Sequence, residues 1–114
     1  MSANPEKNYE IGLLLDLYGA LLSDRQREVT DLYYNDDLSL GEAAQECGIT
    51  RQGVRDALLK SEEQLKQYEQ ALGLLRRQRE NAETLEKLRA ELENLRSVGV
   101  QTSRAEELLQ GLSL

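Results

Sequence analysis

The chain contains no histidine, tryptophan or phenylalanine, and a single proline, cysteine and methionine. With Cys47 alone no intramolecular disulfide can form. Without histidine a zinc site would need ligands the chain scarcely offers, so metal and redox chemistry recede and no cofactor is expected. Pro5 lies near the start, which leaves the rest of the chain free of the strongest helix breaker. No apolar run approaches the ~20 residues of a membrane span, and Met1–Lys7 lacks the apolar stretch of a secretory signal, so a soluble, cytoplasmic protein is expected. Positive charge is in the minority: 14 Lys and Arg against 21 Asp and Glu give a formal net charge of -7. Such a molecule is repelled by a polyanion at long range, and any contact with nucleic acid must be local.

What is present favours helix. Leu, Glu, Gln and Arg dominate from Leu58 onward, and 114 residues suffice for one compact domain plus an extension. From Tyr9 to Leu22, the residues Ile11, Leu14, Leu15, Tyr18, Leu21 and Leu22 recur at spacings of three and four, the stripe of a core-facing helix. Gly12 and Gly19 either weaken this helix, by roughly 1 kcal/mol each, or admit a close helix contact. Ser23 is placed to cap a second helix, with Asp24 in its first turn and Val29, Leu32 and Tyr33 facing inward. Asn35-Asp36-Asp37 should end it, and Ser39 with Glu42 reads as the capping box that opens a third helix. Gly48 stops the third helix and Thr50 caps a fourth.

Beyond Arg51 the interruptions before Gly99 are Gly53 and Gly73, so a long helix, continuous or broken, runs to about Ser97. Leu58, Leu65 and Leu72 repeat every seven residues, as do Ser61, Tyr68 and Leu75, whereas Leu85, Leu88, Leu92 and Leu95 follow a three-four-three spacing in another phase. The phase changes across residues 76–81, which read as a solvated stretch of continuous helix in preference to the turn of a helical hairpin. Thr102 or Ser103 then caps a short last helix carrying Leu108, Leu109 and Leu112. The chain thus divides into a flexible N-terminus (1–8), a helix-turn-helix domain (9–75), a coiled-coil-like helical extension (76–97) and a short terminal helix (98–114), an all-α architecture with no wing.

Function attaches to Ser39 through Leu59. Two helices joined by a tight turn cross steeply when the crossing residue is small and the turn tolerates a positive dihedral. Ala44 is that small residue, four before Gly48; Ile49 follows the turn, and Val54 and Leu58 point back inward. In such a helix-turn-helix the first turns of the second helix enter the major groove. The outward residues there are Thr50, Arg51, Gln52, Arg55 and Asp56, with Lys60 and, farther on, Lys66 as the other nearby cations. Arginine matches the paired acceptors of guanine, glutamine matches adenine, and a cap hydroxyl with free N–H groups matches phosphate. Asp56 opposes a polyanion, and so few cations give a shallow salt dependence and weak non-specific binding unless the protein dimerises. Arg51 and Arg55 can equally be an ordinary solvated helix face.

Other candidates have blander readings. Tyr18, Tyr33 and Tyr68 sit at apolar helical positions and pack rather than stack on bases. Asp36, Asp37 and Glu42 are explained by turn and cap roles better than by a metal. Cys47, beside a turn glycine and with no histidine to act as its base, reads as a small core residue, so no catalytic centre is expected. The face Leu85, Leu88, Leu92 and Leu95, flanked by charge, needs a partner to leave water, and a homodimer through those four residues is the economical solution.

The run from about Tyr9 to Leu75 resembles the YlxM family, small bacterial proteins with a helix-turn-helix similar to the promoter-reading region of sigma factors. The matching residues are Asp16-Leu17-Tyr18, Leu21-Leu22, Arg25-Gln26-Arg27-Glu28, the stretch from Leu32-Tyr33-Tyr34 through Asp36-Asp37-Leu38-Ser39-Leu40-Gly41-Glu42, and Thr50-Arg51-Gln52 with Val54 and Asp56. That family is generally encoded beside the protein component of the signal recognition particle. The resemblance therefore implies an accessory or regulatory part in that pathway, through its RNA or its protein. A DNA-binding transcriptional regulator and a dimeric structural adaptor are the alternatives.

Overall fold

Short polar side chains start the helices of the N-terminal half, and the computed structural model, which describes residues 7–112, gives the partner of each. Asn8 accepts from the Glu10 N–H at the head of α1 (Tyr9–Tyr18). Ser23 opens α2 (Asp24–Tyr34) in a full capping box with Gln26, and Ser39 opens α3 (Leu40–Cys47) in another with Glu42. Thr50 accepts from the Gly53 N–H at the head of α4 (Arg51–Leu72). Each such cap contributes about 1 kcal/mol by satisfying an N–H that the helix cannot. Two further helices follow, α5 (Leu74–Ser97) and α6 (Ser103–Gln110), so the described residues are all-α, with no strand among them.

The chain falls into two compact units, one ending at Leu75 and the other beginning at Arg76. In the first unit two apolar clusters share Tyr34. One gathers Ile11, Leu14, Leu15 and Tyr18 of α1 with Leu22, Leu65 and Leu75. The other gathers Val29 of α2, Ala43 and Ala44 of α3, and Val54 and Leu58 of α4. Burying a Val or Leu side chain is worth roughly 1.5–3 kcal/mol, so these clusters hold α1 to α4 together. The second cluster places the helix-turn-helix.

Several expectations need correcting. The first helix was expected to keep one inward stripe to Leu22; instead α1 ends at Tyr18, a 3₁₀ turn spans Gly19–Leu21, and Leu21 is 55% exposed. A 3₁₀ turn advances three residues per turn, so the helical phase slips and Leu21 faces water while Leu22 stays buried. Residues 76–81 are continuous helix within α5, in line with the favoured reading, and of the two candidate interruptions it is Gly73, with φ 65°, that ends α4 in the left-handed region while Gly53 stays within it. Leu72, a member of the seven-residue stripe, is 55% exposed because that turn removes it from the seam.

The Gly73 turn is held by polar groups distant in sequence. The Tyr18 hydroxyl donates to Glu69 at 2.8 Å and accepts the Leu74 N–H at 3.0 Å, and Glu69 also accepts the Leu75 N–H at 2.9 Å. The first N–H groups of α5 are thereby capped by side chains of α1 and α4. Burial pushes the Tyr18 phenol above its ordinary pKa, with Glu69 adding to the rise, so it stays a neutral donor.

The N-terminal tail expected over 1–8 lies outside the described residues for positions 1–6. Lys7 is described, and its ammonium donates to the carbonyls of Tyr33 and Leu38 at 2.5 and 2.9 Å and to Asp37 at 3.1 Å. It also stands 4.1 Å from the centre of the Tyr33 ring. The loop before α3 is therefore tied to Lys7, which precedes the cap residue of α1.

In the second unit the remainder of α5 and α6 are joined through Gly99 at φ 91°, with the Val100 N–H returning to the Leu95 carbonyl. Thr102 precedes α6 as its cap residue, but its hydroxyl donates to the Glu106 carboxylate rather than accepting a backbone N–H. Arg96 pairs with Glu93 and, at 3.4 Å, with Glu106. Leu109 is buried, while Leu108 and Leu112 are exposed. The cleft between the two helices, lined by Arg89, Leu92, Arg96, Glu106 and Leu109, encloses about 240 Å³. That is below the size of ordinary small-molecule sites.

Candidate nucleic-acid interface

The bend that exposes the head of α4 is built from one glycine and two alanines. Gly48 takes φ 66° and ψ 34°, the left-handed conformation that a Cβ penalises, and its N–H returns to the carbonyls of Ala44 and Gln45. The Ile49 N–H also bonds the Ala44 carbonyl, at 3.1 Å, which closes the turn. Ala43 is completely buried and Ala44 nearly so, opposite Val54 and Leu58. Sequence reasoning gave the crossing to Ala44 alone; Ala43 shares it.

Side chains of α2 brace this turn from outside. Arg25 donates to the Cys47 carbonyl at 3.0 Å, and the Cys47 thiol donates to Glu28 at 3.6 Å. Burial, followed by the Glu28 charge, pushes the Cys47 thiol above its ordinary pKa, which keeps it protonated and a poor nucleophile. Its carbonyl and thiol serve the turn. Neither Arg25 nor Glu28 was assigned a part from sequence, where their separation of some twenty residues from the turn gives no local signal.

Thr50, Arg51, Gln52, Arg55, Asp56 and Lys60 are all exposed. Thr50 is the cap, and the other five lie on two neighbouring rows of α4, since residues four apart share a helix face. Arg51, Arg55 and Leu59 form one row; Gln52, Asp56 and Lys60 form the other. Leu59, 59% exposed, was missed, although its position four after Arg55 could have placed it on this edge. The Arg51 side chain runs back over Gly41 at the start of α3. Gln52 donates to Asp56 at 2.8 Å, so the free protein holds this pair closed on itself. Gly53 leaves room for the cap: a Cβ there would stand 3.2 Å from the Thr50 hydroxyl.

The edge combines forked donors, an amide, a carboxylate and a capped helix head whose first N–H groups lie outside the helical ladder. That is the donor and acceptor set for base edges and phosphates, on a rod narrow enough for the major groove. Among the described residues no three His, Cys, Asp or Glu side chains gather as metal ligands. Of the acidic trio considered from sequence, Asp37 pairs with Lys7 and Glu42 closes its capping box. The tyrosines pack: Tyr18 lies 6.0 Å from Tyr68, and Tyr33 meets Tyr34 edge-on at 5.1 Å. Tyr9 is the exposed one, at 81%. The four leucines expected at a dimer seam are divided, Leu85 and Leu92 half-buried, Leu88 and Leu95 exposed. No helix among the described residues is long and apolar enough to cross a membrane.

Residues 5–104 match the profile of the UPF0122 family, described as "Putative helix-turn-helix protein, YlxM / p13 like". The sequence is 48% identical over 77 residues to a UPF0122 protein of Caldanaerobacter subterraneus subsp. tengcongensis, covering 68% of this chain and 66% of that protein. A UPF0122 protein of Bacillus pumilus is 39% identical over 107 residues, 94% of each chain. Another, from Acetivibrio thermocellus, is 50% identical over 70 residues, 61% of this chain and 60% of the relative.

Proposed function

This chain belongs to the UPF0122 family of YlxM/p13-like helix-turn-helix proteins, and from that premise we propose that it is a non-enzymatic, nucleic-acid-binding regulator. The observation that carries this reading is the exposed head of α4, where Arg51 and Arg55 share one row beyond the Gly48 bend. Duplex DNA suits the edge best. The B-form major groove admits a helix, whereas the A-form RNA major groove is too deep and narrow for its side chains to be read. Thr50, Arg51, Gln52, Arg55, Asp56 and Lys60 make the contact, in the cytoplasm, and two copies pair through Leu85, Leu88, Leu92 and Leu95 to double the cationic footprint.

A second reading places the protein in the signal recognition particle pathway, as an accessory factor on its RNA or protein component. The net charge of -7 favours it, because an acidic molecule suits one restricted contact better than scanning of long DNA. Gel retardation at low salt tests the edge itself. Replacing Arg51 and Arg55 together by Ala should weaken retention at least about tenfold, each arginine contributing on the order of 1 kcal/mol or more. Unchanged retention would remove α4 from the mechanism, and binding to a protein alone, insensitive to salt, would make the chain an adaptor.

A further inference from the structure

We propose that Asp56 reads cytosine: its carboxylate accepts a hydrogen bond from the N4 amino group in the major groove, so that α4 selects G·C pairs. This rests on the duplex-DNA reading above and assigns a specificity to it. The starting observation is that Asp56 has no evident structural task. It lies beyond the first turn of α4, outside capping range, and among the described residues its partner is Gln52 rather than any cation. A carboxylate on an edge that meets phosphates weakens general affinity, so its use must lie in what it accepts.

The geometry limits what that is. Gln52 and Asp56 occupy one row, tied by the 2.8 Å bond from the Gln52 amide. The tie uses one of the two Gln52 amide N–H groups and one Asp56 oxygen, and leaves the second Asp56 oxygen as an acceptor on this exposed row. Only two groups in the major groove donate, the N6 amino of adenine and the N4 amino of cytosine. Adenine carries its N7 acceptor beside N6, which repels a carboxylate and suits a free amide. Cytosine presents no acceptor there, so the anion meets a donor without a rival. The neighbouring row, Arg51 and Arg55, carries only donors, the complement of guanine O6 and N7. The arginine donors beside the Asp56 acceptor match the two halves of one G·C pair.

Selection from randomised duplexes with the full chain tests the assignment, using the wild type, Asp56→Ala and Asp56→Asn. Wild-type sites should hold cytosine at one fixed position with a preference of about tenfold, the size of a good base contact. Asp56→Ala should lose that preference, its affinity for cytosine-bearing sites falling about tenfold to that of the other duplexes, and Asp56→Asn should move it to adenine. All three should fold alike, since the side chain is exposed. A preference that survives in Asp56→Ala, or wild-type sites with no favoured cytosine, would overturn the assignment and leave DNA binding intact. Retention of no duplex DNA by the wild type would overturn the assignment together with the reading it rests on.

Discussion

Lys7 illustrates how much one side chain does in a core this small. Its ammonium satisfies two backbone carbonyls and a carboxylate, its side chain is 4% exposed, and it covers the Tyr33 ring. Lys7→Ala leaves the Tyr33 and Leu38 carbonyls short of a donor in a partly buried place, which should cost about 2 kcal/mol in urea unfolding, as hydrogen bonds to charged groups usually do. A change within experimental error would mean that water replaces the ammonium. Roles of this kind were invisible in the sequence. Ser23, Ser39 and Thr50 could be read because a cap and its partner lie three residues apart. Lys7, Arg25 and Glu69 act on partners far along the chain, and nothing local marks them.

At the scale of elements, the helix-turn-helix depends on a glycine and a cap. Gly48 has open space around a notional Cβ, so Gly48→Ala meets no neighbour and is opposed by its positive φ alone. The loss should be about 1–2 kcal/mol by thermal or urea unfolding. A neutral result would show that the bend does not need the left-handed conformation. Glu42, at the head of α3, is held below its ordinary pKa of 4.5, first by the backbone N–H of Ser39 and then by the Ser39 side chain. A folded pKa below the unfolded one gives stability that is present above pH 4.5 and lost as pH falls through the lowered value. Glu42→Gln keeps a capping-box acceptor without the titration, so its stability should follow a flatter course below pH 4.5 than the wild type; parallel curves would contradict this. The bend at Gly48 was legible because alanine, glycine, isoleucine and threonine fall at the offsets a turn requires. Gly73 was legible only as one of two candidate interruptions, beside Gly53, because nothing local announces the Tyr18–Glu69 cap that decides where the helix ends.

For the whole molecule, charge and surface set the terms. The net charge of -7 leaves the cations of α4 as a local exception, so nucleic-acid affinity should fall with salt with a small slope, a few released counter-ions per edge. In the second unit the hydrophobic side chains outnumber the places to bury them. Leu88 is 44% and Leu95 42% exposed on α5. Replacing Leu88 and Leu92 together by Glu should halve the mass measured by light scattering if those residues pair two copies, and an unaltered mass would place the contact elsewhere. The leucine spacing predicted the stripe; it could not say what covers it, because an apolar face looks the same in sequence whoever the partner is. The account as a whole turns on the head of α4 meeting nucleic acid. Its most direct test is to follow backbone amide resonances while a short G·C-containing DNA duplex is added at low salt. The account predicts that the largest shifts lie between Thr50 and Lys60, with the α1 amides barely moved. Shifts confined to another surface, or none at millimolar duplex, would contradict it.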